Sequence, residues 1–206
     1  VVGAANARAL VAEAAGDPRT ALAWVDAACG ALAPHGEHLV LRAALDANRA
    51  RFLDQLGRAA EARAVWASVL PAFDVSSPEN AAIVRNNLAY GLWEEGRDAE
   101  ATELAAFALQ QHRAHGNRRH QAAPLSLLGR IALRAGRLDD ARRQLGAALT
   151  LARECRQEHT VVVLLCELAR LARADGRPED AGPLLTEARE LAGTAADQAL
   201  VAAAGG

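Results

Sequence analysis

An all-α fold, an α-solenoid of about five antiparallel helical hairpins, is what this 206-residue sequence predicts, and three observations predict it. The first is a repeat. A glycine, a charged residue next to it and an alanine five places on recur as GDPRTA at 16–21, GRAAEA at 57–62, GRDAEA at 96–101, GRLDDA at 136–141 and GRPEDA at 176–181. The glycines stand 41, 39, 40 and 40 residues apart, and a fixed period of this kind marks stacked repeats. The second is composition. The chain is 51% apolar but only 3% aromatic, because about a quarter of it is alanine, the best helix former and the smallest side chain that still packs. The third is the set of small residues around each glycine: Ala21, Ala62, Ala101, Ala141 and Ala181 after it, and Ala9, Ala50, Ala89, Gly129 and Ala169 seven places before. Small residues on both sides of a tight turn let two antiparallel helices approach closely.

Each element follows from that frame. The glycine suits the left-handed position that ends a helix, and stretches such as DPR and RPED put proline and acids into the first turn of the next. Every unit is thus an A helix, a glycine turn and a B helix. The A helices are expected near 4–15, 38–56, 79–95, 120–135 and 159–175. The B helices are expected near 18–33, 59–71, 98–115, 138–156 and 178–192. SSPEN at 76–80 starts the third A helix, with Ser77 as cap and Pro78 at the first helical position. HGNRRH at 115–120 is a short polar connection. No low-complexity linker interrupts the pattern, so the chain reads as one array over 1–206. Its repeats fall at about 1–36, 37–77, 78–117, 118–157 and 158–194, with 195–206 a C-terminal tail or the start of a further helix.

Composition also excludes chemistry. All 23 basic residues are arginine, so there is no Schiff-base lysine and no P-loop lysine. A net charge of −2 exerts no general pull toward nucleic acid or anionic membrane. Cys29, Cys155 and Cys166 form no CxxC pair and no even-numbered disulfide set, which suits a reducing cytoplasm. No signal peptide and no apolar run of membrane-spanning length is present. The chain begins without methionine and ends in AAAGG, as expected of a piece of something longer. His112, His115 and His120 match no tetrahedral zinc spacing. The nearby Arg113, Arg118 and Arg119 lack aromatics for base stacking. No GxGxxG, GxSxG or HExxH occurs, so neither an enzyme nor a cofactor is expected.

The residues around the glycines resemble the tetratricopeptide repeat. Leu88, Ala89, Leu92, Gly96, Ala101 and Ala108 carry its pattern in the third unit. Leu125, Leu128, Gly129, Ala132, Gly136, Ala141, Leu145 and Ala148 carry it in the fourth. Leu165, Leu168, Ala169, Ala172, Gly176, Ala181, Leu185 and Ala188 carry it in the fifth. The first two units depart from it: Arg8 and Arg49 replace a leucine, and Val25 and Trp66 fill the bulky position. The period exceeds that family's usual one of about 34 residues. Long repeats of this kind are similar to those of kinesin light chains and of bacterial multidomain ATP-dependent transcription regulators, the latter most of all over HGNRRH through AREC at 115–155. The resemblance implies a right-handed superhelix whose A helices line a concave face.

On each A helix the core stripe occupies positions 11, 8, 7 and 4 before the glycine, a 3.6-residue rhythm. Positions 10, 6 and 3 before it form another face. They hold Asn6, Leu10 and Glu13; Ala47, Arg51 and Asp54; Asn86, Tyr90 and Trp93; Ser126, Arg130 and Leu133; and Cys166, Arg170 and Arg173. Asn86 matches the place where peptide-binding members of the family grip a peptide backbone, for which an amide is suited as both donor and acceptor. Tyr90 and Trp93 add flat apolar area. Arg51, Arg130 and Arg170 recur at one position, with Arg134 and Arg173 beside them, and arginine forks suit carboxylates. The plain alternative is a solvated face, with Arg51 pairing a neighbouring acid. Trp24 and Trp66, on B helices, are expected in the core.

The function expected is capture of a protein or peptide segment, acidic in character, in the concave groove of a bacterial transcriptional or signalling regulator. Two alternatives stay open: a stand-alone receptor for a small signalling peptide, and a scaffold or dimerisation arm working as a homodimer.

Overall fold

The computed structural model describes residues 2–32 and 39–205. Among them are eleven α-helices, two short 3-10 turns and no strand. The chain folds as two compact units, Val1–Glu95 and Gly96–Gly206. The first contains α1 (Val2–Ala14), α2 (Pro18–Gly30), α3 (Leu39–Gln55), α4 (Ala59–Ser76) and α5 (Pro78–Glu94). The second contains α6 (Asp98–Ala114), α7 (Ala122–Arg134), α8 (Leu138–Glu154), α9 (Glu158–Ala174), α10 (Ala181–Leu191) and α11 (Ala195–Gly205). In the first unit α1 pairs with α2 and α3 with α4, while α5 packs on α4. In the second α7 pairs with α8 and α9 with α10, while α6 packs on α7 and α11 on α9.

The glycine frame has the conformation expected of it. Gly16, Gly57, Gly96, Gly136 and Gly176 all lie at φ between +71° and +78°. The turns close with the paired hydrogen bonds of a Schellman motif: Arg137 N–H donates to the Ala132 carbonyl at 2.9 Å and Gly136 N–H to the Leu133 carbonyl at 3.0 Å. These bonds satisfy carbonyls that a helix end leaves open. The next helix is then steadied by the residue after the glycine. Arg58 pairs with Glu61, Arg97 with Glu100, Arg137 with Asp140 and Arg177 with Asp180. In the first repeat Asp17 does the work by accepting from Thr20 N–H at 3.0 Å. The small residues flanking the turns are buried, Ala9, Ala21, Ala50, Ala89, Ala101, Ala141 and Ala169 completely.

Three boundaries differ from expectation. α4 runs through Pro71 to Ser76, because buried Phe73 anchors the turn beyond the proline, which forfeits one backbone hydrogen bond. The fourth A helix and the fifth B helix begin later than expected, each preceded by a single 3-10 turn, Arg118–His120 and Pro178–Asp180. Ala195–Gly205 form a helix, α11, capped by Thr194 and Asp197, each accepting from the other's backbone N–H. The boundary drawn between the first two repeats, at 36 and 37, lies outside the described residues, as do positions 33 and 38 of the expected helices.

A second left-handed position stands midway between the glycines. Gly116 fills it after α6, at φ 65°, and Arg156 fills it after α8, at φ 53°. A side chain in this region costs roughly 1–2 kcal/mol, which glycine avoids at the expense of about 0.5–1 kcal/mol of chain entropy. Arg156 is exposed. Arg156→Gly is therefore expected to stabilise the chain by about 0.5–1 kcal/mol, read as a higher denaturant midpoint; a lower midpoint would show that the arginine carries a compensating contact.

Candidate functional site

In the first unit, α3, α4 and α5 enclose a cavity of about 220 Å³. Its walls are Asp54 at the end of α3, Arg63 and Trp66 on α4, and Asn86, Asn87, Tyr90 and Glu94 on α5. A second cavity, about 250 Å³, adjoins it and shares Trp66 and Asn87. It is lined by Asn48 and Arg51 of α3 and by Asn80, Ile83 and Val84 of α5. Together they run along α5 from Asn80 to Glu94, a span of about 20 Å at the helical rise, or roughly six extended residues.

Several groups in the first cavity are held in place by identifiable contacts. Arg63 crosses α5 at Gly91, where an added Cβ would lie 2.5 Å from the Arg63 Cδ. Its guanidinium reaches Glu95 at 2.7 Å. Tyr90 and Trp93 lie ring to ring at 5.3 Å between centroids, tilted by 53°. The amide oxygen of Asn86 is enclosed and accepts no hydrogen bond among the described residues. Partial burial raises the Asp54 carboxyl above the ordinary carboxylate value, with the Arg63 guanidinium pulling the other way.

The arginines expected to line a groove are engaged inside their own units. Arg51 pairs with Glu13 and also donates to the Asn48 side-chain oxygen at 3.4 Å. In the second unit Arg130 and Arg170 converge on one buried carboxylate, Glu167, at 3.3 and 3.0 Å. Arg134 pairs with Asp98, its Nε donating at 3.1 Å. Arg173 donates to the carbonyls of Ala204 and Gly205 and so fastens the end of α11 to α9. The other end of α11 is tied by His159, whose Nδ1 lies 2.5 Å from Asp197 Oδ1. Burial raises the pKa of Asp197, but the hydrogen bonds from His159 and Thr194 outweigh it and leave the carboxyl below its usual value.

Solved structures share this arrangement of helices. BtubC (BKLC) of P. vanneervenii superposes with a TM-score of 0.66 at 18% identity, over 89% of this chain and 76% of that one. A kinesin light chain-like protein of Podosopora anserina with nearly identical TPR-like repeats superposes with a TM-score of 0.61 at 20% identity, over 92% of this chain and 94% of that one. The chain has the TPR-like helical-repeat fold. No protein-family model matches the sequence, and none of the curated proteins does.

Within this TPR-like frame Asn86 and Tyr90, two residues of the expected partner face, line the cavity, and Trp93 lies against Tyr90. The sequence pattern does not reveal Arg63, Gly91, Asn87 or Glu94, which lie off the positions read as the partner face. Asp54 is on that face, three residues before Gly57, without a pattern that distinguishes it from a solvated acid. Trp66 is buried as expected, yet it also lines both cavities. Trp24 is partly buried beneath the Arg8 guanidinium, 4.6 Å from its ring centroid.

The described residues contain no group of histidines, cysteines or acids placed to hold a metal ion, and no helix among them is long and apolar enough to cross a membrane. The cysteines are free. Burial and the neighbouring Asp46 carboxylate push the Cys29 thiol up to about 11, and burial raises Cys166 as well. Only the thiolate attacks an alkylating agent. Iodoacetamide at mildly alkaline pH is therefore expected to label the partly exposed Cys155 well before Cys29 and Cys166, as read by peptide mass. Equal rates at all three would show that the helices open readily.

Proposed function

We propose that this chain is an interaction module that captures an extended polypeptide segment along α5, as the sensory or partner-binding part of a bacterial transcriptional or signalling regulator. The observation that carries the capture reading is the pair of adjoining cavities between α3, α4 and α5. They combine amides that can serve a peptide backbone, Asn48, Asn80, Asn86 and Asn87, with the aromatic surfaces of Trp66 and Tyr90. The enclosed, unsatisfied Asn86 oxygen favours the same reading, because a buried acceptor left unpaired costs about 1–3 kcal/mol that a donor from a ligand would recover. The regulator assignment rests on the resemblance of residues 115–155.

An array of peptides of diverse composition, probed with the whole 206-residue chain, tests the proposal. Tyr90→Ala and Asn87→Ala are each expected to weaken capture about tenfold, the equivalent of one lost aromatic contact or backbone hydrogen bond. Asn86→Ala is expected to weaken it at every ionic strength. Helical circular dichroism should be unchanged in all three. Capture of the same peptides by the parent and by all three variants would remove this site from consideration.

A further inference from the structure

We infer that the cavity beneath Asp54 and Glu94 is a subsite for an arginine side chain of the captured segment, an inference that rests on the capture reading above. Its volume of about 220 Å³ lies below the roughly 300–1,000 Å³ of ordinary small-molecule sites and suits a single long side chain. Its charge is unbalanced. Glu95 holds the one arginine of the cavity wall, Arg63, at 2.7 Å, and the missing Cβ of Gly91 is what lets Arg63 take that path. Asp54 and Glu94 make no ion pair and accept no side-chain hydrogen bond among the described residues, so the two carboxylates share the cavity with a single arginine that is already bound to Glu95.

The remaining wall fits the same occupant. Trp66 and Tyr90 line the same cavity, and a planar guanidinium stacks on aromatic rings better than an ammonium does. The Asn86 oxygen lacks a donor, and a guanidinium carries five N–H groups in a fixed fork. After a small turn of the Asn86 amide, one guanidinium could serve the amide and a carboxylate together. This ligand has the opposite sign to the acidic segment that the arginine positions led one to expect, and those arginines already hold internal partners.

The test uses captured peptides from the array, resynthesised with one central position set in turn to arginine, lysine, citrulline, glutamine and glutamate. Arginine is expected to bind about tenfold more tightly than citrulline, its neutral isostere, with lysine between them and glutamate weakest. In Asp54→Asn/Glu94→Gln the arginine–citrulline ratio should fall to within about twofold, and the weakening of arginine peptides by added salt should flatten. Peptides captured through Tyr90 and Asn87 but indifferent to arginine, or retaining the arginine preference in the double variant, overturn the subsite and leave the capture reading intact. Capture of no peptide by the parent chain overturns both.

Discussion

Replacing Glu167 by alanine is expected to lower the unfolding free energy by about 2–4 kcal/mol. Glu167 is 4% exposed and is the shared partner of Arg130 and Arg170. The Arg130 side chain is itself only 17% exposed. Removing the carboxylate takes a buried counter-charge at 3.3 Å from a poorly solvated guanidinium, and breaking a buried pair from one side typically costs about 3–5 kcal/mol. The Arg170 half is discounted, because that side chain is 38% exposed and water replaces much of what it loses. Urea unfolding of Glu167→Ala and of Glu167→Ala/Arg130→Ala checks the argument. The double variant should recover part of the loss, since it removes both members of the Arg130–Glu167 pair together. A single variant within about 0.5 kcal/mol of the parent, the ordinary range for a surface substitution, would show that Arg130 reaches solvent freely.

The same cluster shows where sequence reasoning stops. Period, turn glycines and small residues are local in the chain, and each has one physical meaning, so the helical hairpins and the left-handed turns were legible from the sequence. Arg51, Arg130 and Arg170 were legible as a recurring position but not as a function. Whether Arg51 or Arg130 faces a ligand or an internal acid depends on a neighbour nearly 40 residues away, and a charged residue reads the same in either role. Glu13 pairs with Arg51 and Glu167 with Arg130 and Arg170, and neither acid stands out in the sequence. The cavity was half legible for a related reason. Asn86 and Tyr90 lie on the face that helical periodicity isolates. Arg63 and Gly91 matter because one crosses the other, which no single-helix pattern can show. Arg156 was hidden differently: glycine is the usual signal for a left-handed residue, and here the turn is made without it.

The last expectation turns on the closest approach in the second unit. A Cβ built on Gly129 would lie 2.7 Å from Leu145 Cγ, 2.8 Å from Cδ2 and 3.3 Å from the Leu145 backbone nitrogen. The leucine side chain could swing away from a single methyl, but Leu145 is completely buried and has little space to enter. The backbone contact cannot be relieved without moving α8 from α7. Gly129→Ala sets an overpacking loss of about 1–3 kcal/mol against a helix-propensity gain of about 1 kcal/mol, and a small net loss results. Gly129→Val adds two more carbons and recovers less propensity, because a β-branched side chain is restricted in a helix. It is expected to cost about 2–3 kcal/mol, equivalent to roughly 10 °C or more in Tm for a unit of this size. Gly146, on α8 itself, is the control, since an added Cβ there meets nothing within 4 Å. Gly146→Ala is expected to stabilise by about 0.5–1 kcal/mol. Opposite signs at the two glycines would establish that the hairpin needs the absence of a side chain at position 129 and merely tolerates it at 146. A neutral Gly129→Val would mean that α7 and α8 have room to part.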